Sequence, residues 1–150
     1  MIDISSKDVV VRTATASGKI KLKRSTIDAI NRGETKKGNV VETAKIAGMQ
    51  AAKRTWDMIP YCHQIPISSV NLEFVSSEDH MVVKCSVKAV YRTGVEMEAV
   101  SCVQTALLTI WDMVKYLEKD ENGQYPETEI RSVKVDRKMK AKSDAPLNWR

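Results

Sequence analysis

The 150-residue chain is 43% apolar and 29% charged, which places it among ordinary globular domains and away from disordered, fibrous and membrane-spanning classes. Aromatics supply only 5%, with Phe74 the single phenylalanine, so the core must be built from Val, Ile, Leu, Met and Ala. A formal charge of +5 suits a phosphorylated ligand or nucleic acid, while three cysteines with no CxxC pair, Cys62, Cys85 and Cys102, argue against a disulfide framework and for a reducing, cytoplasmic setting.

In chain order, Asp3, Lys7 and Asp8 interrupt any apolar run at the N-terminus, so no signal peptide is expected. No later stretch approaches membrane-spanning length. Val9–Ala14 and Lys19–Lys23 read as two short strands turning at Ser17-Gly18. Ser25 suits the N-cap of a short helix, Thr26–Asn31, which Gly33 closes. After the loop Glu34-Thr35-Lys36-Lys37-Gly38, Asn39 can cap a longer helix over residues 40–54. Its small residues, Gly48 among them, predict close packing against another element. Pro60 and Pro66 bracket Tyr61-Cys62-His63-Gln64-Ile65, which cannot be ordinary helix.

Val70, Leu72 and Phe74 alternate with Asn71, Glu73 and Val75 as a half-buried strand that turns over Ser76 to Asp79. Its partner is Met81–Arg92, with Val83, Cys85, Val87 and Ala89 inward and Lys84, Ser86 and Lys88 outward. A long helix from Val95 to Leu117, a loop to Pro126 and a strand over Thr128–Val135 follow. Residues 131–142 hold six cations and one acid, which predicts a solvated basic tail from about residue 136. One domain of α+β class is expected, an antiparallel sheet with helices packed on one face, in a ferredoxin-like order.

Several polar residues lie where local structure does not need them. Cys62 and His63 set a thiol beside an imidazole, but neighbours in an extended segment point apart, so adjacency makes no catalytic dyad. The other histidine, His80, falls in a turn, and no metal-ligand spacing recurs. Glu96 and Glu98 open the long helix, where its dipole favours carboxylates. They project about 200° apart on a helix, so they are not expected to share one surface. A buried carboxylate there would suit the amino and ring N–H groups of a guanine-like base. Asp112 and Lys115 lie three apart on one face. They form either a plain surface ion pair or, because Leu107, Leu108, Ile110, Trp111, Met113 and Val114 surround them, a partly buried pair with shifted acidities. Lys36-Lys37-Gly38 precedes a helix N-terminus, a natural anion site, though not a Walker A loop. Lys53-Arg54 could also meet a phosphate.

Taken together, Lys37-Gly38-Asn39-Val40, Ala44 to Thr55 (AKIAGMQAAKRT), Ile59-Pro60-Tyr61-Cys62-His63, Thr93-Gly94-Val95-Glu96-Met97-Glu98-Ala99 and Ala106 to Met113 (ALLTIWDM) occur in order. Met1 to Ser5 and Val11-Arg12 match as well. This series of blocks, over residues 1–134, resembles the cyclic pyranopterin monophosphate synthase family, molybdenum cofactor biosynthesis protein C. The resemblance implies a ferredoxin-like subunit in a homohexamer built from dimers, with active sites at subunit interfaces. It implies a 3′,8-cyclised dihydro-GTP substrate, a pterin product bearing a cyclic phosphate, and release of pyrophosphate by a lyase. By the same resemblance Asp112 is the acid/base, Lys115 its partner and Lys37 a second essential lysine. Tyr61, Cys62, His63, Glu96, Met97 and Glu98 fall on substrate-binding segments, with Lys53, Arg54 and Arg12 as phosphate contacts. No cofactor or metal is required, and a Mg²⁺ ion could accompany the triphosphate. The chain departs from the family's Cys-His-Pro at Gln64 and from its Lys-Gly-Asp at Asn39. Its C-terminal lysine pattern is also replaced, leaving Lys134 the nearest equivalent.

Two rival readings have less behind them. A nucleic-acid-binding module would interleave aromatics with Lys and Arg, and the strands offer only Phe74 and Tyr91. A non-catalytic nucleotide-binding subunit would not be expected to keep Lys37, His63, Asp112 and Lys115 together.

Overall fold

The computed structural model describes residues 1–142. Eight elements follow in order: β1 (Val10–Lys21), α1 (Arg24–Arg32), α2 (Val40–Lys53), α3 (Thr55–Met58), β2 (Ile67–Ser76), β3 (His80–Tyr91), α4 (Glu96–Glu118) and β4 (Glu129–Ala141). The four strands form one sheet in the order β2-β3-β1-β4, and every neighbouring pair is antiparallel. The expected α+β class is therefore correct. Inward residues of β1 and β3, among them Ala16, Ile20, Val83, Cys85 and Val87, are buried with Cys102, Val103, Ala106, Leu107 and Ile110 of α4. Each buried Val, Leu or Ile side chain among them contributes about 1.5–3 kcal/mol on leaving water.

β1 is a single strand of 12 residues, not two strands turning at Ser17-Gly18. Gly18 is a point of close approach rather than a turn. A Cβ there would lie 2.8 Å from Leu107 Cδ1 and 2.9 Å from Val133 Cγ2, so the missing side chain lets α4 settle onto the strand. Gly48 does the same between helices, since its Cβ would meet Leu72 Cδ2 at 2.8 Å and the Cys102 carbonyl at 2.9 Å. The close packing expected of α2 is thus made against α4 and β2.

Asn39 caps α2 as expected, its side chain accepting the Glu42 N–H at 3.0 Å. Ser25 does not cap α1, which begins at Arg24 with Lys23 as its cap residue and no local side-chain bond. The cap comes from the far end of α4. Glu118, fully buried, accepts from the Lys23 N–H at 3.1 and 3.2 Å, from Thr26 Oγ1 at 2.6 Å and from Thr128 Oγ1 at 3.0 Å. One carboxylate so joins α1, α4 and the segment entering β4, and supplies the negative charge a helix N-terminus favours.

β4 does not stop at Val135. It pairs with β1 as far as Ala141, so the basic run forms an edge strand where a solvated tail was expected. Two irregularities in its register, with Ser132 at φ 58°, mark bulges that turn the strand and let Val133 pack against Gly18. These bulges disturb the alternation that would have revealed the strand. The remainder of the expected tail lies outside the described residues. Among those residues, no helix is long and apolar enough to cross a membrane.

Candidate functional site

The residues singled out in the sequence gather at opposite ends of α4. At its N-terminal end a cleft of about 640 Å³ is walled by Tyr61, Cys62 and His63, by Thr93, Gly94, Glu96, Met97 and Glu98, and by the N-terminal segment through Ile2, Ile4 and Lys7. Pro60 and Pro66 keep Tyr61 to Ile65 out of regular structure, which leaves three adjacent side chains free to line a wall. Tyr61 is 77% exposed and Met97 46% exposed, whereas Glu98 is only 3% exposed. Burial pushes the Glu98 carboxyl up to about 7, with the charge of Glu96 adding to the rise and its own backbone N–H opposing it. A carboxyl poised there can both accept and donate at neutral pH.

Glu96 and Glu98 line the same cleft, against the expectation that they could not share a surface. They sit in the opening turn, where the cleft wraps the helix end rather than one of its sides. Burial works against ionised Glu96, but the Lys138 ammonium at 2.9 Å, its own backbone N–H and the nearby Arg12 together hold its pKa below the usual carboxylate range. Cys62 is driven the other way, first by burial and then by Glu98. A thiol so held is a poor nucleophile. His63 Nε2 lies 2.8 Å from the Ile2 carbonyl. In the Nε2–H tautomer it donates to that oxygen and leaves Nδ1 as its acceptor.

Some 21 Å further along α4, at ~1.5 Å per residue, Asp112 meets two ammonium groups. Lys115 Nζ lies 2.8 Å from Oδ1 and Lys37 Nζ lies 2.8 Å from Oδ2. Lys37 Nζ also reaches the Asp112 main-chain oxygen at 3.0 Å. Lys115 first, then Lys37, hold the Asp112 carboxyl down to about 2. Asp112 in turn raises Lys115. The apolar surroundings considered for this pair are not there, because all three side chains are about half exposed. Ile110, Met113 and Val114 turn to the opposite side and are buried, while Leu108, one turn before Asp112, is itself exposed. Lys37 comes from the loop before α2, so the cluster joins residues far apart in sequence and carries a net positive charge.

Lys53 and Arg54, exposed at the end of α2, line neither the cleft nor the cluster, and Arg12 stands behind Glu96 with Nη2 donating to the Arg92 carbonyl at 3.2 Å. The sequence reading missed the N-terminal segment as a cleft wall, and it missed Arg92, whose Nη1 donates to the carbonyls of Ser5 (2.7 Å) and Lys7 and fastens that segment down. Neither carries a local signal. The contribution of Lys138 became visible only with the extended β4.

The sequence model of the MoaC family matches residues 1–141. The chain belongs to the MoaC family. Relatives of the chain are named "Probable cyclic pyranopterin monophosphate synthase". The protein of Methanococcoides burtonii is 56% identical over 140 residues, 93% of this chain and 88% of the relative. Those of Thermoplasma acidophilum and Sulfolobus acidocaldarius are each 54% identical, covering 93% and 94% of this chain and 98% and 99% of their own lengths. Family membership so extends over both ends of α4 and over β4 to Ala141.

Proposed function

We propose that this protein is a cyclic pyranopterin monophosphate synthase. In this reading it converts 3′,8-cyclo-7,8-dihydro-GTP to cyclic pyranopterin monophosphate with release of pyrophosphate, within molybdenum cofactor biosynthesis. The names and coverage of its relatives support this, and the observation that carries the chemistry is the Lys37–Asp112–Lys115 cluster. The reaction needs proton transfers and cations about a polyphosphate, and no redox step. As a lyase reaction it breaks a P–O bond to the leaving pyrophosphate as the cyclic phosphate forms.

Asp112 is proposed as the acid/base, Lys115 as its partner and Lys37 as the second essential lysine. With both ammoniums in place Asp112 is too acidic to take a proton at neutral pH. A triphosphate drawing Lys37 away removes one of the two hydrogen bonds that lower it, and its basicity rises when substrate is present. At the other end Glu98, with Glu96, Met97, Tyr61, Cys62 and His63, binds the purine-derived part, and Glu98 accepts from its amino and ring N–H groups. Arg12, Lys53 and Arg54 are assigned weaker roles toward phosphate. No resident cofactor is needed, and Mg²⁺ would arrive with the triphosphate as part of the substrate.

The separation of the two ends of α4 supports a site completed by a second subunit, whose cleft faces the lysine cluster. The family resemblance adds the finer expectation of a homohexamer assembled as a trimer of dimers, with active sites at interfaces. The strand order β2-β3-β1-β4 with two helices on one face supports the finer description of the fold as ferredoxin-like. Three unpaired thiols suit a cytoplasmic setting. The partners are a nucleotide-derived small molecule and further copies of the chain, with no nucleic acid or membrane.

The test is incubation with the cyclised dihydro-GTP, scoring pyrophosphate and the pterin product, with Lys115→Ala as control. Both products from the wild type and neither from the variant support the assignment. Tight binding without products would instead favour a non-catalytic nucleotide-binding subunit.

A further inference from the structure

Lys37 reaches Asp112 from a loop, and a loop does not hold an ammonium in place unaided. Besides Asp112, the α4 side chain of Tyr116 grips this loop. Tyr116 lies four residues, one helical turn, beyond Asp112 and so on the same face. Its Oη accepts the backbone N–H of Lys36 at 2.8 Å. Its ring lies beneath the Lys36 ammonium, 5.2 Å from Nζ to centroid. Two successive loop residues thus meet two residues of one helix face. Tyr116 takes the backbone of Lys36, and Asp112 takes the side chain of Lys37.

We infer that Tyr116 is a positioning residue that sets Lys37 against Asp112 by clamping the loop one peptide bond away. This rests on the proposed role of Lys37, and it adds a residue that acts without touching substrate. The clamp has two parts. The phenolic oxygen fixes where the Lys36 peptide lies, and the ring holds the Lys36 stem against the helix through a cation–π contact. Freed of the clamp, the loop moves along α4 by a fraction of its own width. A shift of that size misaligns an ammonium aimed at a single carboxylate oxygen.

The test separates the clamp from the chemistry. Lysine acetylation read by mass spectrometry on the folded wild type, Tyr116→Phe and Tyr116→Ala reports each ammonium without substrate. Lys37 should become several-fold more reactive in Tyr116→Ala and less so in Tyr116→Phe, which keeps the ring, while Lys115 stays as in the wild type. With the cyclised dihydro-GTP, Tyr116→Phe should lower kcat about tenfold with little change in KM. Unchanged Lys37 labelling would overturn the inference, as would a parallel rise at Lys115 or a wild-type kcat in Tyr116→Phe. If the wild type releases no pyrophosphate, the proposed function fails while the labelling still decides the role of Tyr116.

Discussion

At the first turn of α4 Glu98 is 3% exposed, and burial lifts its carboxyl to about 7. At the last turns of the same helix Asp112 stands half exposed between two lysines that press its carboxyl to about 2. One helix therefore carries two carboxylates pushed apart in acidity by different means, desolvation at one end and ion pairing at the other. The difference teaches what each end is suited for. A dry carboxyl lifted to about 7 is suited to neutral N–H groups. A wet carboxylate framed by two ammonium groups is suited to an anion that, in the proposed mechanism, takes one of those partners.

The comparison can be broken most sharply at Asp112. Asp112→Asn should lower pyrophosphate release about 10²–10⁴-fold while circular dichroism stays that of the wild type. Activity within a few-fold of the wild type would remove the acid/base role. Next in size is Glu118→Ala, which leaves the Lys23 N–H and two threonine hydroxyls without their acceptor and should cost about 2–4 kcal/mol in urea unfolding. A near-neutral result would mean that water takes over the cap.

Glu98→Gln sharpens the other end. A carboxyl whose pKa is raised in the folded state contributes stability that is complete below its unfolded value of 4.5 and is lost as pH rises through about 7. The wild type should therefore lose stability over that window, and Glu98→Gln should flatten that part of the profile and be the more stable protein above it. Parallel pH profiles would show that Glu98 ionises as freely as it does in the unfolded chain. The smallest effect is expected for the stability of Asp112→Asn at pH 7. Its ion pairs are solvated, so the thermal midpoint should stay close to that of the wild type. A large drop would make the cluster structural.

Where a residue's structure depends on its near neighbours, the sequence was a good guide. Asn39 as a cap, the alternation of Val83, Cys85, Val87 and Ala89, the irregular proline-bounded segment at Tyr61 to Ile65 and the length of α4 were all legible from local pattern. The failures share a cause. Gly18 looked like a turn because its partners, Leu107 and Val133, are distant in the chain. Ser25 looked like a cap because Glu118 was not known to lie beneath α1. The run after Val135 looked like a tail because bulges and charges conceal a strand that only β1 can define. At the site, resemblance brought Lys37 to Asp112, but nothing local signalled that Tyr116 would hold their loop or that Arg92 would fasten the N-terminal segment into the cleft wall.

The placement of β1 between β3 and β4 has a consequence for synthesis. One edge of this early strand gains its partner when the hairpin forms, but the other waits for residues 129–141, which leave the ribosome more than a hundred residues later. Until then β1 offers an open row of N–H and C=O groups, the kind of edge along which strands of separate chains join. The lysines and arginines crowded into β4 arrive late, and they close that edge with a strand whose charge discourages further addition.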